Sequence, residues 1–500
     1  MYEDRIKPPE LSEKIMTAGQ AAGLIQSGMT LCFSGFVSAG YPKRFPQALA
    51  AAGKAKDLTV ITGASTGDEL DGALARAGLV ARRCSFQTNK SMRAKINEGS
   101  IHYLDTHLGL LPDMIRSGLM GRPDYAVIEC CMVTEDCSIV PTLNAGASNA
   151  FAECSKNIIL ELNTSVPAEL FGIHDIYSAG DGRIVPLTAP DQRIGRTVIP
   201  CSPDRIAAIV IADEVGNLPE FPPDSGTSAQ IARHITRFLQ DEIAAKRLPG
   251  TLYPLQSGVG KVANAVLGQL NHSGFRNLTM YTEVIQDAAL ELLMSGTLSY
   301  ASTTALSFSS EGRRHFFENL DYFKKRIVLR PQEISNRGDV IRRLNVIAMN
   351  TALEADIYGN INSSHAFGSG ILNGIGGSAE FSRNAGLSIF MTPSTAKGGT
   401  ISCIVPMATH VDSSEHDVDI LVTEQGLADL RGKCPQERAE TIISSCAHPD
   451  YRPILWEYLE ISRQNAYGLH TPHDLSRAFD MHLNYLRQGT MMAPPHDSDA

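Results

Sequence analysis

Residues Tyr125–Val133 read Tyr-Ala-Val-Ile-Glu-Cys-Cys-Met-Val, with a single charged side chain among them. A short, branched run of this kind is typical of a strand that is buried on both faces, which implies parallel pairing beneath helices. Three other runs in the first half have the same character: Leu58–Thr62, Ile158–Leu162 and Ile206–Ala212. Helical patterns such as Pro46–Ala52 lie between these runs. The first half is therefore predicted to be an α/β domain.

A break separates this half from the rest of the chain. Asp213–Thr227 contains three prolines and two glycines without periodicity, which is typical of a linker. Ser228 is expected to cap the helix that follows. A second α/β series is predicted from six further strand candidates: Leu278–Tyr281, Ile327–Leu329, Val346–Ala348, Leu387–Met391, Ile401–Pro406 and Val418–Thr423. We therefore expect domains at residues 1–220 and 221–488, and a frayed tail at 489–500.

The two halves share one local pattern. Cys32–Gly40 and Leu255–Gly260 both read as a strand and a glycine-rich turn that lead into a helix. A duplicated fold would produce this similarity, but such units also recur by chance.

Composition excludes several classes of protein. The chain carries 44 Lys and Arg residues against 54 Asp and Glu residues, a formal charge of −10, which argues against general nucleic-acid binding. No uninterrupted apolar run reaches about 18 residues, and the N-terminus has no apolar signal-peptide core. The ten cysteines include no C-x-x-C pair for zinc. A cytoplasmic protein without nucleic-acid or membrane partners is expected.

Three motifs have chemical interpretations beside structural ones. Gly63–Gly67 matches the G-x-S-x-G elbow of serine hydrolases, yet no oxyanion loop of the HGGG kind precedes it, so a tight turn that presents Ser65 to a ligand is favoured. Ser257–Gly260 ends a strand pattern and opens a helix, where backbone N–H groups can bind an anion, but it lacks the third glycine of a dinucleotide fingerprint. His410–His416 offers four potential metal ligands without regular spacing, which favours a polar loop.

Two more features are ambiguous when they are taken singly. Asn373–Phe381 is the most glycine-dense turn of the chain, and it permits either a structural turn or close approach of the backbone to a ligand. Glu283 lies where a strand pattern passes into a helix pattern, a position that a surface glutamate can also occupy.

The combination of motifs is more specific than any one of them. Gln-Ser-Gly-Val-Gly at 256–260, Tyr-Thr-Glu-Val-Ile-Gln-Asp at 281–287, Val-Leu-Arg-Pro-Gln-Glu-Ile-Ser-Asn at 328–336, Asn-Gly-Ile-Gly-Gly-Ser-Ala-Glu-Phe at 373–381 and Thr-Glu-Gln-Gly-Leu-Ala-Asp-Leu-Arg-Gly at 423–432 follow one another in order. This set resembles the acetyl-CoA hydrolase/transferase family, the class I CoA-transferases, from about Phe33 to about residue 485.

The resemblance implies two tandem CoA-transferase-type α/β domains with the active site between them, in a homodimer. It also implies a role for each matching position. Glu283 matches the nucleophile, and Val259 and Gly377 match the residues whose backbone amides form the oxyanion hole. Other positions match active-site polar residues (Asn336, Glu424), CoA-binding residues (Gln256, Ser257, Gly258, Val259, Gly260, Asn373, Gly377, Lys397) and residues near the small carboxylate (Ser65, Thr88).

One departure from the family pattern is visible. The family usually reads Gly-Gly-Ser-Gly-Asp-Phe, whereas this chain has Ala379 and Glu380 in place of the Gly-Asp pair. Alanine restricts the backbone beside the expected oxyanion hole, so acyl specificity or rate can differ.

The resemblance implies an activity and leaves alternatives. A CoA-transferase would move CoA between a short-chain acyl-CoA (succinyl-CoA, acetyl-CoA or propionyl-CoA) and a carboxylate such as acetate, through acyl-glutamyl anhydride and glutamyl-CoA thioester intermediates. An acyl-CoA hydrolase and a non-catalytic acyl-CoA-binding protein are the other possibilities. Coenzyme A is expected as a substrate, with no permanent cofactor and no metal.

Overall fold

The computed structural model describes residues 2–180, 182, 184–221, 226–466 and 469–492. Within these residues the first half forms one eight-stranded sheet. Its strands are β1 Thr30–Val37, β2 Leu58–Ser65, β3 Val80–Cys84, β4 His102–Leu104, β5 Tyr125–Val133, β6 Ile139–Pro141, β7 Asn157–Asn163 and β8 Ile206–Ala212. The order is β4-β3-β2-β1-β5-β7-β8, with parallel pairing throughout, and β6 pairs antiparallel with β5.

The second half forms another eight-stranded sheet and several two- or three-stranded side sheets. Its strands are β9 Leu255–Ser257, β10 Leu278–Tyr281, β11 Val284–Ile285, β12 Leu298–Thr303, β13 Ala305–Leu306, β14 Ile327–Leu329, β15 Ile347–Thr351, β16 Glu354–Asp356, β17 Ile361–Asn362, β18 His365–Ala366, β19 Gly370–Ile371, β20 Leu387–Met391, β21 Thr395–Ala396, β22 Ile401–Ser402, β23 Ile404–Val405, β24 Ile420–Thr423 and β25 Gly426–Asp429. The main sheet runs β14-β12-β10-β9-β15-β20-β24-β25.

Helices cover both sheets. Those of the first half are α1 Ala18–Ala22, α2 Arg44–Ala52, α3 Ala73–Arg76, α4 Lys90–Asn97, α5 Leu111–Arg116 and α6 Ser148–Cys154. Those of the second half are α7 Gly226–Ala244, α8 Lys261–Leu270, α9 Asp287–Met294, α10 Ser310–Glu318, α11 Leu320–Lys324, α12 Gln332–Ser335, α13 Gly338–Arg343, α14 Ser378–Asn384, α15 Pro435–Cys446, α16 Arg452–Asn465 and α17 Asp480–Gln488.

The two main sheets have the same topology. If the parallel strands of each half are counted from the first, both sheets run fourth, third, second, first, fifth, sixth and seventh. The antiparallel strand β25 extends the second sheet at one edge. This identity of order supports the interpretation that the two halves repeat one fold. The α/β prediction is confirmed, and the four buried runs of the first half all lie in its sheet.

One local expectation holds in part and another was wrong. Ile401–Pro406 was predicted as a strand, and it has strand structure outside the main sheet, with a 2.6 Å hydrogen bond from the Ser402 hydroxyl to the carbonyl of Ile404. The segment instead gives β22 and β23, which lie in two different side sheets. Ser228 is a buried residue inside α7, which begins at Gly226, and is not its N-cap. Part of the predicted linker, residues 222–225, lies outside the described residues.

The two halves pack closely against each other. Phe36 and Leu143 of the first half share one apolar core with Val284 and Leu306 of the second half. Ion pairs also cross the boundary: Asp175 and Arg330 form a buried pair, and the partly buried Arg116 pairs with the buried Glu333 at 2.7 Å. The domain boundary at residue 220 stays a prediction. In the predicted tail, Met491 is buried and its N–H donates to Thr400, whereas residues 493–500 lie outside the described residues.

Candidate active site

A cavity of about 270 Å³ lies where the carboxyl ends of the two sheets meet. Val37 from the end of β1 and Ala64 from β2 line it on the side of the first half. Ser257 from the end of β9 and Asn350 from β15 line it on the other side. Ligands of open parallel sheets bind at the carboxyl ends of the strands. The cavity is thus the candidate active site of this chain.

Glu283 lies in this cavity, in the short connection between β10 and β11. Its backbone is held firmly, since its carbonyl accepts hydrogen bonds from the N–H groups of Thr304 and Ala305, both at 3.0 Å. The hydroxyl of Thr303 donates to the same carbonyl at 2.9 Å. Burial raises the pKa of the Glu283 carboxyl group to about 7, against the opposing effect of one hydrogen bond from Asn336.

Asn336 fixes the side chain of Glu283. Its Nδ2 atom donates to Oε1 of Glu283 at 2.7 Å and to Oε2 of Glu380 at 3.0 Å. Its Oδ1 atom accepts a hydrogen bond from the hydroxyl of Ser335 at 3.0 Å. Asn336 follows α12, a helix that the first half holds through the 2.7 Å hydrogen bond from Gln332 to the carbonyl of Leu108. One buried amide therefore connects two carboxyl groups.

Glu380 is the second of these acids. It lies in the first turn of α14 and accepts a hydrogen bond from the N–H of Gly109 at 2.9 Å. Burial raises the pKa of Glu380 to about 8, and repulsion from Glu283 acts in the same direction. Two acids with raised pKa values in one cleft are a pattern that is frequent at functional sites.

The glycine turns approach Glu283 closely. A β-carbon on Gly377 would lie 2.0 Å from Oε1 of Glu283, so only glycine fits there. Val259 lines the same cavity from the turn between β9 and α8. Among the described residues, neither the Gly377 N–H nor the Val259 N–H has a protein acceptor. Both groups are therefore available to an oxygen atom that develops negative charge in the cavity.

The residues predicted to bind CoA occupy different positions around the cavity. Ser257, Gly258, Val259, Asn373 and Gly377 line it. Gln256 instead lies fully buried in β9, and its Nε2 atom donates to Oδ1 of Asn350 in the neighbouring strand β15 at 3.0 Å. The N–H of Gly260 donates a long hydrogen bond of 3.4 Å to Gln286. The backbone of Gly260 has a positive φ of 109°, a conformation that favours glycine. Lys397 is exposed, and its Nζ lies 5.8 Å from the centre of the Tyr485 ring.

The other predicted site residues, Thr88, Ser65 and Glu424, also lie at different places relative to the cavity. Thr88 lines the cavity. Ser65 is buried at the end of β2, and its hydroxyl has no hydrogen-bond partner among the described residues. Glu424 is hydrogen-bonded to Ser394, whose N–H donates to it at 2.8 Å, and no hydrogen bond joins Glu424 to Glu283 among the described residues. Burial alone would raise the pKa of Glu424, but hydrogen bonds from Ser394 and Gln425 outweigh this and hold it below its usual range.

Sequence reasoning missed the contribution of residues 105–109. Asp105 accepts a hydrogen bond from the N–H of Ile375 at 2.7 Å, across 270 residues of sequence, and so anchors the glycine turn of the second half. Burial raises the pKa of Asp105 to about 6. No sequence motif marks Asp105 or Gly109, because their roles depend on how the two halves pack.

The His410–His416 segment is a polar loop. The Nε2 atom of His410 lies 3.1 Å from Asp412, and its ring lies against that of His365 with the centroids 3.9 Å apart and the planes tilted by 34°. Over the described ranges of the chain, no three His, Cys, Asp or Glu side chains are grouped so that they could hold a metal ion.

None of the described helices combines the length and apolar character that crossing a membrane requires.

Comparison with solved structures identifies the class of fold. The structure of RipA from Yersinia pestis superposes with a TM-score of 0.70 at 22% identity, covering 92% of this chain and 98% of that one. A 4-hydroxybutyrate CoA-transferase from Porphyromonas gingivalis gives a TM-score of 0.64 at 23% identity, covering 93% of this chain and 100% of the other. The chain thus has the fold of these proteins.

Sequence comparison identifies the family. Models of the acetyl-CoA hydrolase/transferase N-terminal and C-terminal domains match residues 3–214 and 312–459. The chain is 44% identical to a succinyl-CoA:acetate CoA-transferase of Clostridium kluyveri, over 98% of this chain and 92% of that protein. It is 43% identical to an acetyl-CoA hydrolase of Schizosaccharomyces pombe, over 98% of each. It is 42% identical to a propanoyl-CoA:succinate CoA transferase of Escherichia coli, over 95% and 98%. The protein belongs to the acetyl-CoA hydrolase/transferase family.

Proposed function

We propose that this protein is a CoA-transferase that moves CoA between a short-chain acyl-CoA and a small carboxylate such as acetate, with Glu283 as the nucleophile. The observation that carries the proposal is the position of the Glu283 carboxyl group, which lies in the cavity 2.7 Å from the Asn336 amide and in contact distance of the Gly377 backbone. Succinyl-CoA, acetyl-CoA and propionyl-CoA are the proposed donors.

The proposed reaction begins when the ionised Glu283 attacks the carbonyl carbon of the acyl-CoA. The C–S bond breaks, which gives an acyl-glutamyl anhydride and a CoA thiolate. The thiolate then attacks the glutamyl carbonyl carbon and displaces the first carboxylate, which leaves a glutamyl-CoA thioester. A second carboxylate attacks this thioester, and the same steps in reverse form the new acyl-CoA. Covalent catalysis of this kind divides one difficult exchange into easier acyl transfers.

The surrounding residues have proposed roles in these steps. The N–H groups of Val259 and Gly377 would stabilise each tetrahedral oxyanion, and one such donor is typically worth a few kcal/mol. Asn336 holds the nucleophile in place. Ser257, Gly258 and Asn373 line the cavity that would receive the thiol end of CoA. Lys397 would bind a phosphate of CoA at the surface, and Ser65 and Thr88 would bind the small carboxylate.

Hydrolysis is the second candidate function. It is favoured by the acetyl-CoA hydrolases among the relatives, of which the Schizosaccharomyces pombe protein is 43% identical. In that case water would take the acyl group from the anhydride or attack the glutamyl-CoA thioester. Incubation with acetyl-CoA separates the two functions, because hydrolysis releases free CoA without an acceptor carboxylate. Transfer instead gives a new acyl-CoA only when an acceptor is added.

A trapping experiment tests the nucleophile. The protein is mixed with an acyl-CoA in the absence of acceptor and treated with borohydride, which reduces a thioester but leaves an ordinary carboxylate intact. Peptide mass spectrometry is expected to find an alcohol at position 283. Glu283→Gln should bind CoA without exchange, since an amide is a much weaker nucleophile, whereas Glu291→Gln on the exposed face of α9 should react normally. A label on another residue, or exchange by the Gln variant at the parental rate, would refute the proposal.

A further inference from the structure

Glu380 has contacts on both sides of the candidate active site. One carboxyl oxygen accepts from Nδ2 of Asn336 at 3.0 Å, and the other accepts from the N–H of Gly109 at 2.9 Å. Gly109 lies 271 residues earlier in the chain, in the opposite half. Glu380 thus joins the segment from the first half to the amide that contacts Glu283.

These contacts fix the orientation of Asn336. An amide nitrogen carries two hydrogen atoms, and here one is directed to Glu283 and the other to Glu380. The amide oxygen accepts from Ser335, whose hydroxyl also lies 2.8 Å from that of Thr304. A flipped amide would place its oxygen against two carboxyl groups, so the pair of acids selects one orientation. Without Glu380, one N–H of this buried amide would lose its acceptor.

The carboxyl group of Glu380 also lies close to a second carboxyl group, that of Glu283, because both accept hydrogen bonds from Asn336. Two carboxyl groups that share one donor repel each other when both are ionised, so they lose their protons in two steps that belong to the pair. Other titratable or charged groups on the surrounding elements are Asp105 and His107 before Gly109, Arg337 after Asn336, and Arg383 one turn along α14. The charge that acts on Glu380 most directly is that of Glu283 and not that of any of these four groups.

The geometry points to Glu380 as a positioning residue for the nucleophile: it holds the Asn336 amide on Glu283 and competes with Glu283 for ionisation. This inference rests on the proposed function of Glu283. It also gives a meaning to the sequence departure at this position, because an aspartate on the same backbone, with one methylene group fewer, would withdraw the carboxyl group from Asn336 and Gly109.

The test measures single-turnover formation of the glutamyl-CoA thioester from acetyl-CoA between pH 5 and 9. In the parent protein the rise of the rate with pH should extend over two ionisations, since a charge on either acid delays ionisation of the other. In Glu380→Gln the rise should contract to one ionisation and be complete at a lower pH. The maximal rate should fall by about ten- to a hundredfold, because Asn336 is held less firmly.

Glu380→Asp separates the effect of the second negative charge from the effect of side-chain length. It keeps the second acid but withdraws it, so the two-step profile should persist while the rate falls. Glu291→Gln controls for removal of a charge elsewhere and should change neither rate nor profile. A Glu380→Gln profile identical to that of the parent would overturn the inference. Failure of the proposed function is recognised separately, because Glu283→Gln would then still exchange CoA.

Discussion

A β-carbon placed on Gly377 would lie 2.0 Å from Oε1 of Glu283 and 2.4 Å from Nδ2 of Asn336. Atoms that are not bonded cannot approach so closely, so any side chain at position 377 must displace the carboxyl group. Gly377 has an ordinary negative φ of −98°, and the requirement for glycine here is therefore one of space and not of backbone conformation.

Gly377→Ala is predicted to lower CoA exchange by a hundredfold or more, since displacement of a reacting group by about 1 Å can cost that much. The rate of thioester formation measures the effect, and thermal unfolding checks that the variant folds. Gly268→Ala is the matched control, because nothing lies within 4 Å of its added methyl group in α8. Near-parental activity of the Gly377 variant would contradict the placement of Glu283.

Asn336→Ala is predicted to shift the pH dependence of the reaction to higher pH. The hydrogen bond from Asn336 lowers the pKa of Glu283, so its loss should raise that pKa above about 7. Glu283 reacts when it is ionised, and activity at pH 7 should therefore fall while part of it returns at pH 9. The profile of kcat/KM against pH checks this. An unchanged acid limb would show that Asn336 does not act on the ionisation of Glu283.

Ser65→Ala distinguishes a binding role from a structural one. The buried Ser65 hydroxyl has no hydrogen-bond partner among the described residues, so its removal should not lower the free energy of unfolding. If Ser65 binds the acceptor carboxylate, KM for acetate should rise by about tenfold, equivalent to about 1.4 kcal/mol, without loss of turnover. Acetate titration at saturating acyl-CoA gives this value. A serine-directed phosphonate that labels Ser65 and abolishes activity would favour the hydrolase elbow instead.

Lys397→Ala is predicted to weaken acyl-CoA binding without changing kcat. Lys397 is exposed and does not line the cavity, so it can act on the phosphates of CoA but not on the reacting carbon. KM for acyl-CoA should rise about three- to tenfold at low salt, and the difference should shrink as salt screens the charge. Lys54→Ala, at an exposed site of the first half, is the control. A loss of kcat at saturating acyl-CoA would be inconsistent with this role.

The alternation of buried runs and helical patterns was sufficient to predict two α/β halves. Parallel strands that are covered on both faces are apolar along most of their length, and Tyr125–Val133 has that pattern apart from Glu129. At Ile401–Pro406 the same pattern predicted a strand, and the segment forms the two short strands β22 and β23, which lie in side sheets. Apolar runs report burial, but not which sheet a strand joins.

The sequence by itself determined the class of fold and, through motifs in a fixed order, the family and the candidate nucleophile Glu283. This information is present in short stretches of sequence, because a buried strand and a glycine-rich turn are each recognised from a few consecutive residues. Only the tertiary structure decided that Glu380 and Asn336 meet Glu283 and that Gly109 completes the group from 271 residues away. Such contacts arise from the packing of the two halves. Packing brings together residues that are far apart in the chain, and no local sequence pattern indicates which of them will meet.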